Sequence, residues 1–402
     1  MINRLKFIFN DKLSSKLLLN LLHSIWAIPC VLIIRLLRPI ILIRIGTLFS
    51  GRIGHFAKDA GIQWIENKTN GNDINIYWLD KDTCNKQWEK MVRRNFFVHA
   101  WVEYVHVWNK YIYGGEKHYR PSSITGSRDI KGLLESNNFG MLKFLEDEEK
   151  EAKEWLINKG WNDGEPFVCI QVRDTAYLGS EEFHLNYDWD YHDYRNSNIS
   201  TYILAIKWLL EQGVFVLRMG KKVNKKTPFN HPKFVDYPFC SDKSDLLDIW
   251  LFANCNLCIS TGSGPDAISD IYRRPVVFLN YLPLVDMFSW SFSINHPKNL
   301  VWKDTGKALT LDDYLNYAFY FTEEYINSNI EIIDLTQEEI LDVVIECWSY
   351  IQGDRVDSKN DIDMQKIFWN KIVSNKNSKD YHGYIHKKSR ISTVFLDKNL
   401  HE

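Results

Sequence analysis

The chain has 402 residues and a formal net charge of -2. That balance excludes the broad cationic surface of a nucleic-acid binder, while the length and the 45% share of hydrophobic residues allow two ordinary domains with real cores. Aromatic residues are many, with Trp 15, Tyr 20 and Phe 22, which suits large packed cores and sugar-facing surfaces equally. The seven cysteines are odd in number and lie mostly in apolar runs, so a reducing compartment fits better than a disulfide framework. Cys255 and Cys258 form one CxxC pair leading into a strand, with no second pair to complete a zinc site, and read as buried structural thiols.

Basic residues (Arg4, Lys6, Lys12, Lys16) precede a mostly apolar run from Leu17 to Ile34, and Arg35 and Arg38 follow it. The run is near the lower length limit for crossing a bilayer, and its flanking charge fits a helix lying on an anionic leaflet. Residues 1–38 are therefore expected to be a membrane-associating segment.

A strand is predicted over Ile40–Ile45, closed by Gly46. A Gly-containing loop, Phe49-Ser-Gly-Arg-Ile-Gly-His55, then enters a helix through Phe56, Ala57, Ala60 and Ile62. His55 stands at that helix start, where the dipole lowers an imidazole's proton affinity. Ile74–Leu79 and Phe96–Val98 read as strands, with a helix around Trp88, Met91 and Val92 between them. Trp101, Tyr104, Val105 and Trp108 fall at helical spacing. Residues 113–139 are rich in Gly, Ser, Asn and charge and read as a linker or mobile loop. An amphipathic helix over Leu142–Ile157 leads into the second half.

Phe167–Val172 is a near-continuous apolar run, the pattern of a strand buried on both faces of a parallel sheet. It ends in Arg173-Asp174, and a polar loop over 175–198 follows, holding Tyr177, His184, Asp188, Asp190, His192, Asp193 and Arg195. Next come a helix at Tyr202–Leu210, a strand at Val214–Leu217 ending in Arg218-Met-Gly220, a short strand at Phe234-Val235 and a helix at Leu246–Ala253. A strand at Leu257–Ser260 then runs into the turn Thr261-Gly-Ser-Gly-Pro-Asp266. In that turn Ser263 and Asp266 have capping-box spacing. The helix beyond ends at Pro275, before the strand Val276–Leu279. The stretch holding Trp290, Phe292 and Trp302 is loop-rich, Leu335–Trp348 and Ile362–Val373 have helical spacing, and the tail is polar apart from Ile391–Leu396.

Ligands of open parallel sheets bind at the carboxyl ends of the strands. Those ends carry Arg173 and Asp174, Arg218 and Gly220, Thr261 and Ser263, and Asn280. Two arginines beside a Gly-rich helix start describe a diphosphate site that works without a metal, since guanidinium groups and backbone amides offset the charge. The expected donor-phosphate residues are Arg173, Arg218, Gly220, Ser263 and Gly264. Asp174 and His55 are the candidate bases. Arg52, Asp193, Tyr194, Arg195 and Asn196 are candidates to line a sugar or acceptor pocket, and a solvated polar loop would account for the last four as well.

Several separated runs resemble a bacterial family of glycosyltransferases associated with surface-polysaccharide clusters. They are Arg44-Ile-Gly46 with Arg52-Ile-Gly-His-Phe-Ala57, Gln171-Val-Arg-Asp174, Tyr194-Arg-Asn196 with Ile199 and Tyr202, Arg218-Met-Gly220, Ser260–Asp266 with Pro275 and Asn280, and the ending Ile391-Ser with Phe395, Leu396 and Asn399. More distantly, the strand-Val-Arg-Asp pattern with a later Ser-Gly helix start is similar to the fucosyltransferase group, in which the matching Arg and Ser, here Arg173 and Ser263, engage the donor β-phosphate. Gln171 stands where that group commonly has His, which removes the basis for assigning GDP-fucose. The resemblance implies an α/β fold of two Rossmann-like domains facing a cleft, the GT-B architecture. Expected are an acceptor domain over 39–140, a nucleotide-sugar domain over 141–300, and C-terminal helices and tail over 301–402. It implies a glycosyltransferase at the inner face of a bacterial membrane, with a nucleotide diphosphate sugar as co-substrate and no other cofactor, and a glycan or lipid-linked acceptor. A sugar-nucleotide epimerase of similar build and a non-catalytic glycan-binding protein are the alternatives.

Overall fold

In the computed structural model the described residues are 2–69, 71, 73–137, 140–176, 190–378 and 381–400. Tyr177, His184 and Asp188 of the long polar loop lie outside them. The chain divides into two compact units, one of residues 1–127 and 139–142, the other of 128–138 and 143–402. Both are α/β and built on parallel sheets, as the buried strand runs predict.

In unit 1, helix α1 (Ile2–Leu36) precedes β1 (Ile43–Leu48), α2 (Ile53–Thr69), β2 (Ile74–Leu79), α3 (Lys86–Asn95), β3 (Phe97–Val98), α4 (Val102–Tyr111) and β4 (Tyr119–Arg120). The four strands are parallel in the order β3-β2-β1-β4. Alternation along the strands sorts the two faces. Ile45 packs with Val102 and Val105 of α4 and with Ala27 and Val31 of α1, whereas the Tyr77 hydroxyl meets Asn67 of α2. Helix α3 starts where Asn85 Oδ1 accepts from the Trp88 amide at 2.8 Å, a cap worth about 1 kcal/mol. Trp88 then packs edge-on against Phe56.

Two expectations shift here. The first strand starts at Ile43 instead of Ile40 and runs through Gly46 instead of ending there. A side chain at Gly46 would sit 2.5 Å from the Arg120 carbonyl oxygen, so this glycine lets β4 pair beside β1. The segment expected to be a linker thus contributes a sheet strand, too short for its periodicity to show in sequence.

Unit 2 contains α5 (Leu133–Ser136), α6 (Glu146–Asn158), β5 (Phe167–Gln171), α7 (Ile203–Glu211), β6 (Phe215–Arg218), β7 (Phe234–Asp236), α8 (Asp245–Asn254), β8 (Leu257–Ser260), α9 (Asp266–Ile271), β9 (Val276–Leu279), β10 (Ser293–His296) and β11 (Asn299–Trp302). After these come α10 (Leu311–Asn316), α11 (Thr322–Asn327), β12 (Ile330–Ile333), α12 (Gln337–Gln352), α13 (Lys359–Ser374), β13 (Arg390–Ile391) and α14 (Thr393–Asn399). Seven strands form one parallel sheet in the order β13-β10-β9-β8-β5-β6-β7. Every residue of β5, β6, β8 and β9 is buried. Ile206 and Leu209 of α7 and Val343 and Val344 of α12 share a core with Val168, Ile170, Val216 and Ile259. Phe167 stacks on Trp250 of α8.

The loop-rich stretch after residue 280 holds two more strands, β10 in the large sheet and β11 paired antiparallel with β12. The tail returns to the sheet edge through β13, where Ser392 caps α14 by accepting from the Phe395 amide. Cys169, Cys255 and Cys258 are fully buried.

Candidate active site

From β5 the chain moves outward to β6 and β7, then returns to the other flank of β5 with β8 and continues to β9. The strand order therefore reverses between β5 and β8, and the carboxyl ends of these two strands open the crevice where such sheets bind ligands. Gln171 pairs in register with Ser260. Just beyond, the Arg173 amide donates to Thr261 Oγ1 at 3.0 Å, joining the two loop starts.

The turn after β8 is tightly specified. Gly262 has φ +73°, and a β-carbon there would lie 2.3 Å from the Tyr281 ring, so both backbone shape and space require glycine. The expected Ser263–Asp266 capping box does not form. Ser260 Oγ donates instead to Asp266 Oδ2 at 2.7 Å and accepts from the Gly262 amide at 3.1 Å. The Ser263 amide also points to Ser260 Oγ, at 3.5 Å. Ser260 Oγ thus already engages the Ser263 amide, one of the two backbone donors that sequence assigned to a phosphate, the other being that of Gly264, and α9 has only six residues. The Ser263 hydroxyl, by contrast, is buried with no hydrogen-bond partner among the described residues.

Cationic groups reach this turn from a different source than sequence indicated. Arg195 donates through Nη2 to the Gly262 carbonyl, while its buried Nε has no hydrogen-bond partner. The segment carrying Arg195 is held beside β5, since the Ser197 amide donates to the Arg173 carbonyl at 3.0 Å. Tyr194 is buried next to it, its amide donating to Thr322 Oγ1 and its ring 5.7 Å from that of Tyr325. Burial pushes the Tyr194 phenol above its ordinary pKa, with the Arg195 charge acting in the opposite direction. Asn280, at φ +56°, ties the same segment down, donating to Ser197 Oγ and Tyr202 Oη while accepting from the Leu335 amide. The buried Tyr202 phenol is pushed up to about 12, burial being the main cause.

Arg218 requires a correction. It ends β6, on the far side of β5 from β8, and its side chain is only 2% exposed. Its Nη1 donates to the Lys225 carbonyl at 2.6 Å and lies 3.3 Å from Asp236 Oδ1. Asp236 Oδ2 accepts from the Thr227 amide. Arg218 is therefore a structural cation pinning the β6–β7 connection. Gly220 belongs to that connection too, at φ +142° against Val223 and Pro238. Strand-end position alone did not reveal that the side chain turns toward β7.

Asp174 Oδ1 accepts from the Ala176 amide at 2.9 Å and Oδ2 from the Asn224 amide at 2.8 Å, so both oxygens brace backbone. Asp193 and Asn196 hydrogen-bond to each other, and the buried Lys298 reaches the Asn196 carbonyl and Asp334. These polar residues hold the loop that presents Arg195.

In unit 1, Arg52 and His55 lie at the loop–helix junction after β1. His55 Nδ1 is 2.8 Å from Ser127 Oγ, and its ring meets Phe49 edge-on. Partial burial and then the nearby Arg52 charge lower its pKa. One residue that sequence reasoning missed is Asp59, one helical turn on and 3% exposed. Burial raises its pKa to about 7 against the opposing hydrogen bonds of Ser127 and Ser123. Its i+4 spacing from His55 was readable; its burial was not.

No model of a known protein family matches the chain, and no curated protein matches it. Among solved structures, it is similar to the glycosyl transferase family 9 protein from Veillonella parvula DSM 2008, at 11% identity over 78% of this chain and 97% of that one, with a TM-score of 0.47. It is also similar to the E. coli ADP-heptose LPS heptosyltransferase II, at 11% identity over 78% of this chain and 100% of that one, with a TM-score of 0.42. At these identities and scores neither likeness carries an activity to this chain, which has to be argued from the site.

Proposed function

We propose that the protein is a glycosyltransferase that moves a sugar from a nucleotide diphosphate sugar to a glycan or lipid-linked acceptor in surface-polysaccharide assembly. The observation that carries this reading is that the Arg173 and Thr261 loop starts are joined and Arg195 is bonded to the Gly262 carbonyl, at the strand-order reversal of the large sheet. In this reading the guanidinium groups of Arg195 and Arg173 and the Ser263 hydroxyl, which has no hydrogen-bond partner among the described residues, would supply the donor set of a diphosphate. They would stabilise charge building on the leaving diphosphate without a metal ion. In this scheme unit 2 holds the donor. His55 of unit 1, whose Nδ1 is engaged and whose Nε2 has no partner among the described residues, is a candidate proton acceptor. Asp174, braced by two amides, keeps the Arg173 loop in shape.

The same proposal includes attachment to the cytoplasmic face of a membrane. Helix α1 docks on α4 through Ala27, Val31 and Ile34, and the Arg35 guanidinium is fixed by the carbonyls of Tyr113 and Ile112. Its other side exposes Leu18, Leu21, Leu22, Ile25, Leu32, Ile33 and Leu36. A helix with one stripe packed on protein and the opposite one apolar and bare suits an interfacial position. Cosedimentation with anionic vesicles should be lost in a Leu21→Asp, Ile25→Asp double variant.

Binding tests the central assignment. A panel of nucleoside diphosphate sugars should include one that raises the melting temperature of the wild-type chain, and Arg173→Ala should weaken that ligand and lower turnover together. Unchanged affinity in Arg173→Ala would overturn the donor site, and conversion of the donor with no acceptor present would favour epimerisation.

A further inference from the structure

The loop after β9 reads Leu282-Pro-Leu-Val-Asp-Met287, a single carboxylate among apolar residues. Its one helical turn (Leu284–Asp286) buries Leu284, Val285 and Met287, and Asp286 alone of the six stays partly exposed. Two ties set this carboxylate beside the Gly262 turn. The Tyr281 ring lies against Gly262, and its hydroxyl donates to the Asp286 carbonyl at 3.2 Å. From another side, Tyr320 Oη donates to Asp286 Oδ1 at 3.2 Å, and Thr322 Oγ1, on the same segment, accepts from the amide of Tyr194, the neighbour of Arg195. Asp286 Oδ1 also accepts from Arg128 Nη2 at 2.6 Å, and that guanidinium lies 4.0 Å above the Tyr381 ring.

Asp286 differs here from the carboxylates that serve the fold. Asp236 and Asp174 each use both oxygens inside the protein, which leaves no acceptor unmet. Asp286 Oδ1 meets two donors, whereas Oδ2 has no partner among the described residues. The Arg128 and Asp286 side chains are 20% and 15% exposed, so the pair is open to a ligand, unlike the sealed Arg218–Asp236 pair. We propose that Asp286 binds the sugar ring of the nucleotide diphosphate sugar, Oδ2 accepting from a ring hydroxyl while Arg128 and Tyr320 position the carboxylate through Oδ1. This rests on the reading of the Gly262 turn as the diphosphate site, because the sugar is bonded to the terminal phosphate and must lie next to that turn, where Tyr281 places Asp286. A carboxylate accepts and a sugar rim offers hydroxyl donors, in a charge-assisted bond of the stronger kind. Tyr320, 38% exposed, adds an aromatic wall of the sort that lines ligand sites. A sugar without the hydroxyl at that place would leave Oδ2 unmet, which makes Asp286 a determinant of sugar specificity.

Calorimetric titration of the full chain with UDP and UDP-glucose, GDP and GDP-mannose, and ADP and ADP-glucose compares each diphosphate with its sugar ester. The wild type should bind both members of at least one pair. Asp286→Asn keeps an oxygen for Arg128 and Tyr320 and puts an amide nitrogen in place of Oδ2. It should bind that sugar nucleotide roughly 10- to 150-fold more weakly, the range for a hydrogen bond to a charged group, with affinity for the diphosphate unchanged. Arg128→Met keeps a side chain over Tyr381 and releases Oδ1, and it should lose part of the same difference. A carboxylate that only holds the loop would weaken both ligands together or neither, and either result in the two variants overturns the inference. A wild type that binds a diphosphate but none of the sugar nucleotides overturns it as well, leaving the diphosphate site standing. A wild type that binds none of the diphosphates overturns the reading of the Gly262 turn itself, and the inference with it.

Discussion

Arg195, in the polar loop, and Arg218, at the end of β6, both stand next to the large sheet, and replacing each by alanine should have different consequences. Arg195→Ala removes a guanidinium that meets the Gly262 carbonyl and has a buried, unpartnered Nε. A hydrogen bond from a charged donor is worth about 1.5–3 kcal/mol, which converts to roughly 10- to 150-fold weaker nucleotide-sugar binding. Arg218→Ala strands Asp236, whose side chain is 8% exposed. Breaking a buried pair costs about 3–5 kcal/mol. The Thr227 amide still bonds Asp236 Oδ2 at 2.7 Å, so the lower end applies. Calorimetric titration together with urea unfolding of the full chain separates the two effects. Arg195→Ala should lose affinity at nearly wild-type stability, and Arg218→Ala should lose stability while folded protein binds normally. Weak binding by a stable Arg218→Ala, with Arg195→Ala binding like wild type, would refute this placement of the donor site.

Gly262→Ala forces an alanine to φ +73° and a methyl group against the Tyr281 ring; the backbone term alone is about 1–2 kcal/mol, and calorimetry should show weaker nucleotide-sugar binding as the Arg195 anchor moves. His296 is fully buried beside Ser392, and burial lowers its pKa to about 3. Below the unfolded value near 6.5 the unfolded chain takes up a proton that the folded one refuses, so stability falls from about pH 6.5 down to about 3, by a total on the order of 4 kcal/mol. Thermal unfolding from pH 7.5 to 4 should show that loss, and His296→Gln should flatten it. Asp59 has the opposite sign: its folded pKa of about 7 exceeds the unfolded value, so the folded state loses stability as pH rises from 3.8 to 7. Asp59→Asn should therefore raise the unfolding free energy measured in urea at pH 8, by at most about 4 kcal/mol.

The elements legible in sequence were those with a long apolar period. The buried runs of β5, β8 and β9 and the amphipathic helices α12 and α13 fall within about four residues of their expected limits. Two-residue strands such as β4 and β13 carry no period of their own and exist through the neighbours they pair with. At the proposed site, the place of Arg173 just beyond a buried strand was legible. Arg195 sits in a polar loop, and only the ties from Ser197 and Asn280 carry it to the Gly262 turn. Arg218 misled for the converse reason, since its strand-end position was right and its counter-ion Asp236 is eighteen residues away in sequence. Composition could not show that Ser260 already uses the turn's amides.

The central claim, that Arg173 and Arg195 hold one diphosphate beside Ser263, is met most directly by titrating the wild type, Arg173→Ala and Arg195→Ala with the same nucleoside diphosphate sugar and with the matching monophosphate. The account predicts tight binding of the diphosphate by the wild type only, weak binding of the monophosphate by all three, and a double variant no weaker than the monophosphate level. Equal affinity of the wild type and both single variants for the diphosphate would contradict it.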